Sequence, residues 1–301
     1  MKAQTKESIW AYVFLSPNLL GFLIFTLFPV AASFILSFVE WNMTPPITSA
    51  HFVGLKNFIS LMKDPYFWKY FGNTLYLMMA IPISMMGALA IAVLMNRKLK
   101  GIVFFRTIYF LPTISSGVAI CLLWMWIFNT DYGLLNIIIA RIGEFFGMKL
   151  RGPNWLTSEI WAKPALMIMG LWTSLGGYNM VLYLAALQGI SKELYEAADI
   201  DGANAWQKFW TITWPMISPT TFFIFIMSII GGFQGGFMAA RIMTGGGPNG
   251  ATKTLEYYIF DKLYSYQHFG YASAIAWFLF VIIFIVTLIN WRYGGKLVHY
   301  Y

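Results

Sequence analysis

The chain has 301 residues, of which 59% are hydrophobic and only 11% are charged, whereas roughly 25% of the residues in a typical soluble domain are charged. This composition excludes an ordinary soluble enzyme or binding domain and indicates an integral membrane protein. The formal net charge of +8 does not indicate nucleic-acid binding, because the basic residues form short clusters beside apolar runs, where they face anionic lipid.

Six stretches are apolar over the roughly 20 residues that a helix needs to cross a bilayer. The first follows Lys2 and Lys6 and is about twice as long as the apolar region of a cleaved signal peptide, so we interpret it as a retained span. The stretches are residues 10–39, 73–95, 104–128, 164–187, 216–240 and 271–291. The sequence therefore predicts an all-α integral membrane fold with six transmembrane helices, in a single transmembrane domain over residues 1–301.

The density of Lys and Arg near the span ends predicts that both termini are cytoplasmic. The segment NRKLKGIVFFR, residues 96–106, contributes most to this prediction, since the outer loops spread a similar number of basic residues over nearly twice the length. The basic residues placed on the cytoplasmic side are Lys2, Lys6, Arg97, Lys98, Lys100, Arg106, Lys192, Lys208, Arg292 and Lys296. The loop at residues 190–215 is then cytoplasmic.

This loop, SKELYEAADIDGANAWQKFWTITWP from Ser191 onward, is a charged insert between two apolar spans. Ser191 is a favourable N-cap, acidic residues follow in the first turns where the helix dipole stabilises them, and Gly202 can end the helix or turn the chain. The small side chains of Ala197 and Ala198 would let another surface approach the backbone. Spacing alone leaves two readings open, a docking surface or a connector at the membrane interface.

The stretch EAADIDGANAWQKFWTITWP resembles the EAA motif of ABC importer permeases. The one departure is Trp214, where the motif usually has Leu. In that family the loop forms a coupling helix that docks into a groove on the cytoplasmic ATPase subunit. The matching positions, which the resemblance assigns to ATPase coupling, are Glu196, Ala197, Ala198, Gly202, Ile212 and Pro215.

The resemblance covers nearly the whole chain and is to the sugar branch of the family, the maltose and glycerol-3-phosphate type. It rests on the order of several stretches, among them LSPNLLGFLIFTLFPVAASFILSFVEW in the first span, FFRTIYFLPTISSGVAICLLWMWIFN in the third, and MTGGGPNGATKTLEYYIFDKLYSYQHFGYASAIAWFLF near the end. It implies the type I permease fold in the bacterial plasma membrane. It also implies a second permease subunit, two copies of an ATPase, and an extracellular or periplasmic carbohydrate-binding protein.

The chain lacks the residues that other function classes need. The stretch GGGPNGAT has glycines at phosphate-loop spacing, but Ala251 stands where the motif requires Lys, so we expect ATP to bind the partner subunit and this chain to hold no cofactor.

Cys121 is the single cysteine, and we expect no metal site. A membrane-embedded enzyme would cluster His, Asp or Glu at membrane depth, which the pattern does not show. Composition leaves a purely structural subunit open, although the EAA motif argues against it.

Two segments supply the side chains that carbohydrate sites use, which are aromatic faces together with amides and hydroxyls. LWTSLGGYNMVLY in the fourth span and GGFQGGF in the fifth contain them, and the resemblance maps pocket positions of maltose-type permeases onto the same two spans. An alternative is that the polar groups are interhelical hydrogen bonds and the glycines are packing contacts. The residues predicted to line the substrate pathway are Trp172, Leu175, Gly176, Tyr178, Asn179, Phe233, Gln234 and Gly236.

The substrate that these features predict is a carbohydrate, and we expect an oligosaccharide. The second candidate is glycerol-3-phosphate or another polyol phosphate, whose negative charges would require Arg or Lys in the cavity. Only Arg241 is near enough in sequence to serve.

Overall fold

The computed structural model describes residues 2–42, 50–97 and 100–294. Two basic residues used for the orientation, Lys98 and Lys296, lie outside these ranges. Residues cluster into two compact units, the first formed by residues 1–64 and 259–280 and the second by residues 65–258 and 281–301.

In the first unit, the first span is a helix with a π-helical turn in its middle. The short strands that follow pair antiparallel, with Val39 opposite Phe52. The Asn57 side chain donates hydrogen bonds to the carbonyl oxygens of Ser37 and Val39, at 2.9 and 3.0 Å. The elements are α1 (Lys2–Phe22), the π turn Leu23–Leu27, α2 (Phe28–Leu36), β1 (Val39–Glu40), β2 (His51–Phe52), α3 (Lys56–Lys63) and the π turn Asp261–Ser265.

The second unit holds most of the apolar helices. Its elements are α4 (Pro65–Met78), α5 (Ala80–Met95), α6 (Ile102–Ile114), α7 (Gly117–Ile127), α8 (Leu134–Phe145), α9 (Ala162–Leu175), α10 (Tyr178–Gln188), α11 (Lys192–Ile200), α12 (Ala205–Lys208), the π turn Phe209–Thr213, α13 (Trp214–Phe233), α14 (Phe237–Ala239) and the π turn Ala240–Thr244. Helices α15 (Leu255–Phe260) and α16 (Phe269–Gly294) run across the limits of the two units.

Two apolar clusters fill the second unit. The first joins α5, α10 and α13 around the fully buried Tyr183, Ile217 and Ile224. The second joins α7 and α9 around Trp124 and Leu166. Burial of such large side chains stabilises helix packing through close contacts that lipid cannot match in density.

The six predicted spans are confirmed as apolar helices, with shifted ends. Five are long enough to cross a membrane without interruption: Ser8–Leu36, Pro65–Met95, Ala162–Gln188, Ala205–Phe233 and Phe269–Arg292. The sixth is the pair α6 and α7, which bend by 99°. The expectation of one helix through residues 104–128 is wrong here, because Ser115 and Ser116 both leave the helical region, with ψ of 151° and 127°.

The fifth span also differs from its predicted range of 216–240. It starts earlier, since α12 continues through the π turn Phe209–Thr213 into α13, and Pro215 is the second residue of α13. It ends earlier, at Phe233, because Gly236 has a φ of +90° that a continuing helix does not allow.

Candidate functional site

Helix α11 forms the first arm of the loop at residues 190–215, and its start is capped as the sequence predicts. The Ser191 hydroxyl accepts a hydrogen bond from the backbone N–H of Glu193, at 3.2 Å. Such a cap satisfies one of the free donors in the first turn and typically stabilises a helix by about 1 kcal/mol. Glu193 in the first turn adds a favourable interaction with the helix dipole.

The end of α11 is a Schellman motif centred on Gly202. The N–H of Ala203 donates to the carbonyl of Ala198 at 2.9 Å, and the N–H of Gly202 donates to that of Asp199 at 3.1 Å. Gly202 has a φ of +75°, a left-handed conformation in which a Cβ is strained. The backbone therefore favours glycine at this position.

The second arm of the loop begins with a capping box. Asn204 and Gln207 exchange side-chain to backbone hydrogen bonds of 2.8 and 2.9 Å, which fixes the start of α12. Because α12 continues into α13, this arm is the cytoplasmic extension of the fifth span in the predicted orientation.

Two contacts hold α11 against the second arm. Lys208 forms an ion pair with Asp199 at 2.6 Å, and the hydroxyl groups of Tyr195 and Thr213 are 2.8 Å apart. The two arms of the loop are therefore held together by one ion pair and one hydrogen bond.

The six predicted coupling residues divide between an exposed part and an inner part. Glu196, Ala197 and Gly202 are exposed, Ala198 is half-buried, and the neighbouring Ile200 leaves 87% of its surface uncovered. This part of the loop therefore presents one exposed apolar side chain beside two small ones.

The inner part of the motif supports the exposed part. Ile212 packs against the first apolar cluster, and Pro215 lies in the first turn of α13 with its carbonyl accepting the Ser218 hydroxyl at 2.7 Å. These two residues fix the direction in which the fifth span leaves the loop.

A cavity of about 410 Å³ lies among α4, α5, α9, α10 and α13. Its walls are mostly apolar, with Leu, Ile and Met side chains, and several glycines leave room in it. Its polar groups are an amide and hydroxyls, and none of its lining residues is charged among the residues that the structure describes. These groups belong to Asn179, Thr74, Ser84, Ser174, Ser228 and Thr254.

Of the eight residues predicted for the substrate pathway, Asn179 and Gly236 line this cavity. Gly236 packs closely against Thr254, since an added Cβ would lie 2.9 Å from the Thr254 methyl group. The cavity thus joins one predicted position from the fourth span and one from the end of the fifth.

The predicted aromatic residues of the fourth span lie elsewhere. The Trp172 ring packs edge-on against Trp124, with centroids 5.8 Å apart, and is partly exposed. The exposed Tyr178 ring makes the same kind of contact with Phe110, also at 5.8 Å. Their assignment to a substrate pathway stays a prediction.

The other predicted positions have packing contacts or surface exposure. Leu175 lies against Gly87, and Gly176 lies so close to the backbone carbonyl of Tyr109 that no Cβ fits between them. Phe233 is buried and Gln234 is exposed at the end of α13. Gly176 therefore has a reason to be glycine that is independent of any substrate.

Sequence reasoning missed most of the cavity wall. Gly170 and Gly231 face open space in it, and the hydroxyls of Ser84 and Ser174 donate to the carbonyls of Ile81 and Gly170, both at 2.8 Å. Small and hydroxyl residues occur at packed helix interfaces as often as in cavities, so the sequence carries no signal that separates the two.

Glu256 holds the backbone at one end of the cavity. Its carboxylate accepts a hydrogen bond of 3.1 Å from the N–H of Phe237, directly after Gly236. Burial raises the pKa of this carboxyl above its ordinary value, and the hydrogen bond from Phe237 offsets part of that increase. Glu256 therefore fixes the turn that ends the fifth span at the cost of a partly desolvated charge.

We expect Glu256→Gln to stabilise the protein more at pH 8 than at pH 4.5. The folded-state pKa of Glu256 is raised, so its stabilising contribution is full below the ordinary pKa and is lost as the pH rises through the folded-state value. Glutamine keeps an acceptor without this penalty. Thermal unfolding in detergent should show a melting temperature for the variant, relative to wild type, that is higher at pH 8 by on the order of 1 to 3 °C.

The control is Glu256→Ala, which leaves the N–H of Phe237 without its acceptor and should lower the melting temperature at both pH values. A glutamine variant whose relative stability falls between pH 4.5 and pH 8 would contradict the assignment.

Comparison with known proteins finds one matching family and several relatives that are similar over nearly the whole chain. A family model described as "Binding-protein-dependent transport system inner membrane component" matches residues 69–293. The probable ABC transporter permease protein YesP of Bacillus subtilis (strain 168) is 35% identical over 299 residues, which cover 98% of this chain and 93% of YesP. The multiple sugar-binding transport system permease protein MsmF of Streptococcus mutans serotype c is 33% identical over 288 residues, 95% of this chain and 96% of MsmF.

The fold matches a solved structure over almost its whole length. A chain of the bacterial alginate ABC transporter, solved in complex with an alginate pentasaccharide-bound periplasmic protein, has a TM-score of 0.84 over 98% of this chain and 97% of that chain, at 22% sequence identity. With the predicted six-span helical fold and the EAA-like loop, the family match leads to one conclusion. The chain belongs to the family of binding-protein-dependent transport system inner membrane components, and it is a multi-pass permease of the ABC importer class.

Proposed function

We propose that this chain is one of two transmembrane subunits of a bacterial ABC importer that translocates a carbohydrate, an oligosaccharide, delivered by a solute-binding protein. The observation that carries the proposal is the cavity of about 410 Å³, whose described polar lining consists of hydroxyls and one amide. Its volume lies within the roughly 300 to 1,000 Å³ of ligand pockets. Uncharged hydrogen-bonding groups between apolar walls suit a neutral ligand with many hydroxyls.

A polyol phosphate fits this cavity less well. A dianionic group buried without a cation carries a desolvation penalty of several kcal/mol, and no Lys or Arg is among the described residues that line the cavity. Arg241, the candidate cation, is not among them; its guanidinium lies over the Phe237 ring, 5.6 Å from the centroid. The lining therefore favours the carbohydrate.

In this proposal the energy comes from a separate ATPase present in two copies, and this chain binds no ATP. Ala251 occupies the position of the phosphate-loop lysine. The segment is tied to α4, since Asn73 donates hydrogen bonds of 2.9 Å to the carbonyls of both Gly250 and Lys253. A phosphate loop instead connects a strand to the start of a helix with its N–H groups free for phosphate.

The proposed orientation places both termini and the loop at residues 190–215 in the cytoplasm, with the loop docked to the ATPase. Its exposed part, formed by Glu196, Ala197, Ile200 and Gly202, supports this role. The binding protein then delivers the substrate on the opposite side, and a second permease completes the pathway.

The test is reconstitution of the purified transporter in liposomes with a panel of radiolabelled carbohydrates, with glycerol-3-phosphate included. We expect ATP-dependent uptake of a neutral oligosaccharide, and its loss when either the ATPase or the binding protein is omitted. ATP hydrolysis by the permease pair alone, or uptake of glycerol-3-phosphate in preference to every sugar, would overturn the proposal.

A further inference from the structure

Helix α8, between the third and fourth spans, has three distinct faces. The face toward the protein is fixed by Asn136, whose amide donates to the Thr130 carbonyl at 3.0 Å and accepts from the Trp155 indole N–H at 2.7 Å. Gly143 lies on the same face, buried so closely against the Met148 carbonyl that no Cβ fits there. The helix is therefore held in one rotational setting.

A second face of α8 carries an exposed apolar ridge. Leu134, Ile138, Ile142 and Phe145 follow one another at intervals of four, four and three residues, which places them on one stripe of the helix. They leave 44%, 44%, 48% and 84% of their surfaces exposed. A contiguous ridge of this size is a surface that requires an apolar partner.

The third face of α8 is mixed, since the exposed Ile137 lies on it between two charged residues. Arg141 and Glu144 form an ion pair on it at 3.4 Å, and Lys149 and Arg151 follow the helix in exposed positions. Basic residues beside an apolar ridge are typical of helices that lie in the plane of a membrane surface, where the ridge enters the acyl boundary and the cations meet lipid phosphates.

We infer that α8 lies in the membrane–water interface, with the ridge inserted among phospholipid acyl chains. The connections of the helix favour lipid as the partner. Residues 128–133 join α8 to α7 and residues 146–161 join it to the span Ala162–Gln188, so both ends of α8 are tied to apolar helices of the bilayer. The charge of the segment, with three basic residues and one acidic residue over 134–151, is complementary to anionic headgroups.

This position would anchor the second half of the broken third span. The Trp155 ring, bonded to Asn136 of α8, packs against Phe128 with centroids 5.4 Å apart, and Phe128 directly follows the last residue of α7. The interfacial helix would therefore hold the end of α7 at a fixed depth in the membrane. Helix α6 lies on the other side of the bend at Ser115–Ser116.

The experiment is site-directed spin labelling of the assembled transporter in vesicles of phosphatidylethanolamine and phosphatidylglycerol. Cys121→Ala removes the single cysteine, and Ile138→Cys or Ile142→Cys places the label on the ridge. Glu144→Cys, on the third face of the same helix, is the matched control. Collision rates are measured with oxygen, which concentrates in the acyl region, and with a water-soluble nickel chelate.

We expect the oxygen-to-nickel ratio at positions 138 and 142 to exceed that at position 144 several-fold. Equal ratios would show that the ridge faces water, and exclusion of both reagents from positions 138 and 142 would show that protein covers it. Either result would overturn the inference. All three labels lie at exposed positions, and retained uptake confirms that each labelled transporter is folded.

Discussion

Gly202→Val is expected to separate the permease from its ATPase while the spans remain intact. Gly202 has a left-handed φ of +75° and an exposed position, where a β-branched residue costs at least about 1 to 2 kcal/mol. The loop conformation that docks would then be about 5- to 30-fold less populated. Co-purification of the ATPase with the tagged permease, together with uptake in vesicles, measures the effect.

Gly202→Asn is the control, because asparagine adopts the left-handed conformation more easily than other residues with a side chain. An added Cβ at this position meets no atom within 4 Å in the free permease, so a steric clash inside the chain cannot explain a loss. If the valine variant binds the ATPase and transports as well as the asparagine variant, the loop is only a connector.

Gly231→Phe is expected to block transport by filling the cavity. Gly231 lines the cavity, and no atom lies within 4 Å of a Cβ built on it. A Cβ is therefore accommodated at this position, and we expect the phenylalanine ring to occupy space in the cavity. Uptake should fall at least about tenfold, which a penalty of only about 1.4 kcal/mol on the bound substrate produces.

Gly231→Ala is the matched control for the steric effect. Alanine adds one methyl group and favours the helix by roughly 1 kcal/mol, so the variant should transport near the wild-type rate and unfold at a higher temperature. Both variants should assemble with the ATPase. Normal uptake by an assembled Gly231→Phe transporter would show that the substrate takes a different path.

The features that sequence predicted well depend on local chemistry. Apolar length located the six spans, because the bilayer imposes it on every crossing helix. The N-cap at Ser191 and the turn at Gly202 were predictable because each depends on one residue type and its backbone requirement.

The features that sequence could not predict depend on which way a side chain faces. On a soluble helix, polar and apolar stripes separate the outside from the inside, but in lipid both faces are apolar and the contrast is lost. The sequence could therefore not show that the Trp172 ring packs edge-on against Trp124, and its assignment to the substrate pathway stays a prediction. The 99° bend between α6 and α7 was not predicted, because the two helices together are apolar enough to be interpreted as one span.

The fifth span runs over 29 residues, Ala205–Phe233, and it is therefore about 43 Å long. One end carries the capping box and the ion pair to α11, and the other carries Gly231 and Gly232 of the cavity wall. The π turn Phe209–Thr213, Pro215 and Pro219 all lie in the half of this helix next to the loop, and π turns and prolines are the positions where helices bend. A tilt imposed on the loop would therefore be absorbed in part at these positions before it reaches the cavity wall.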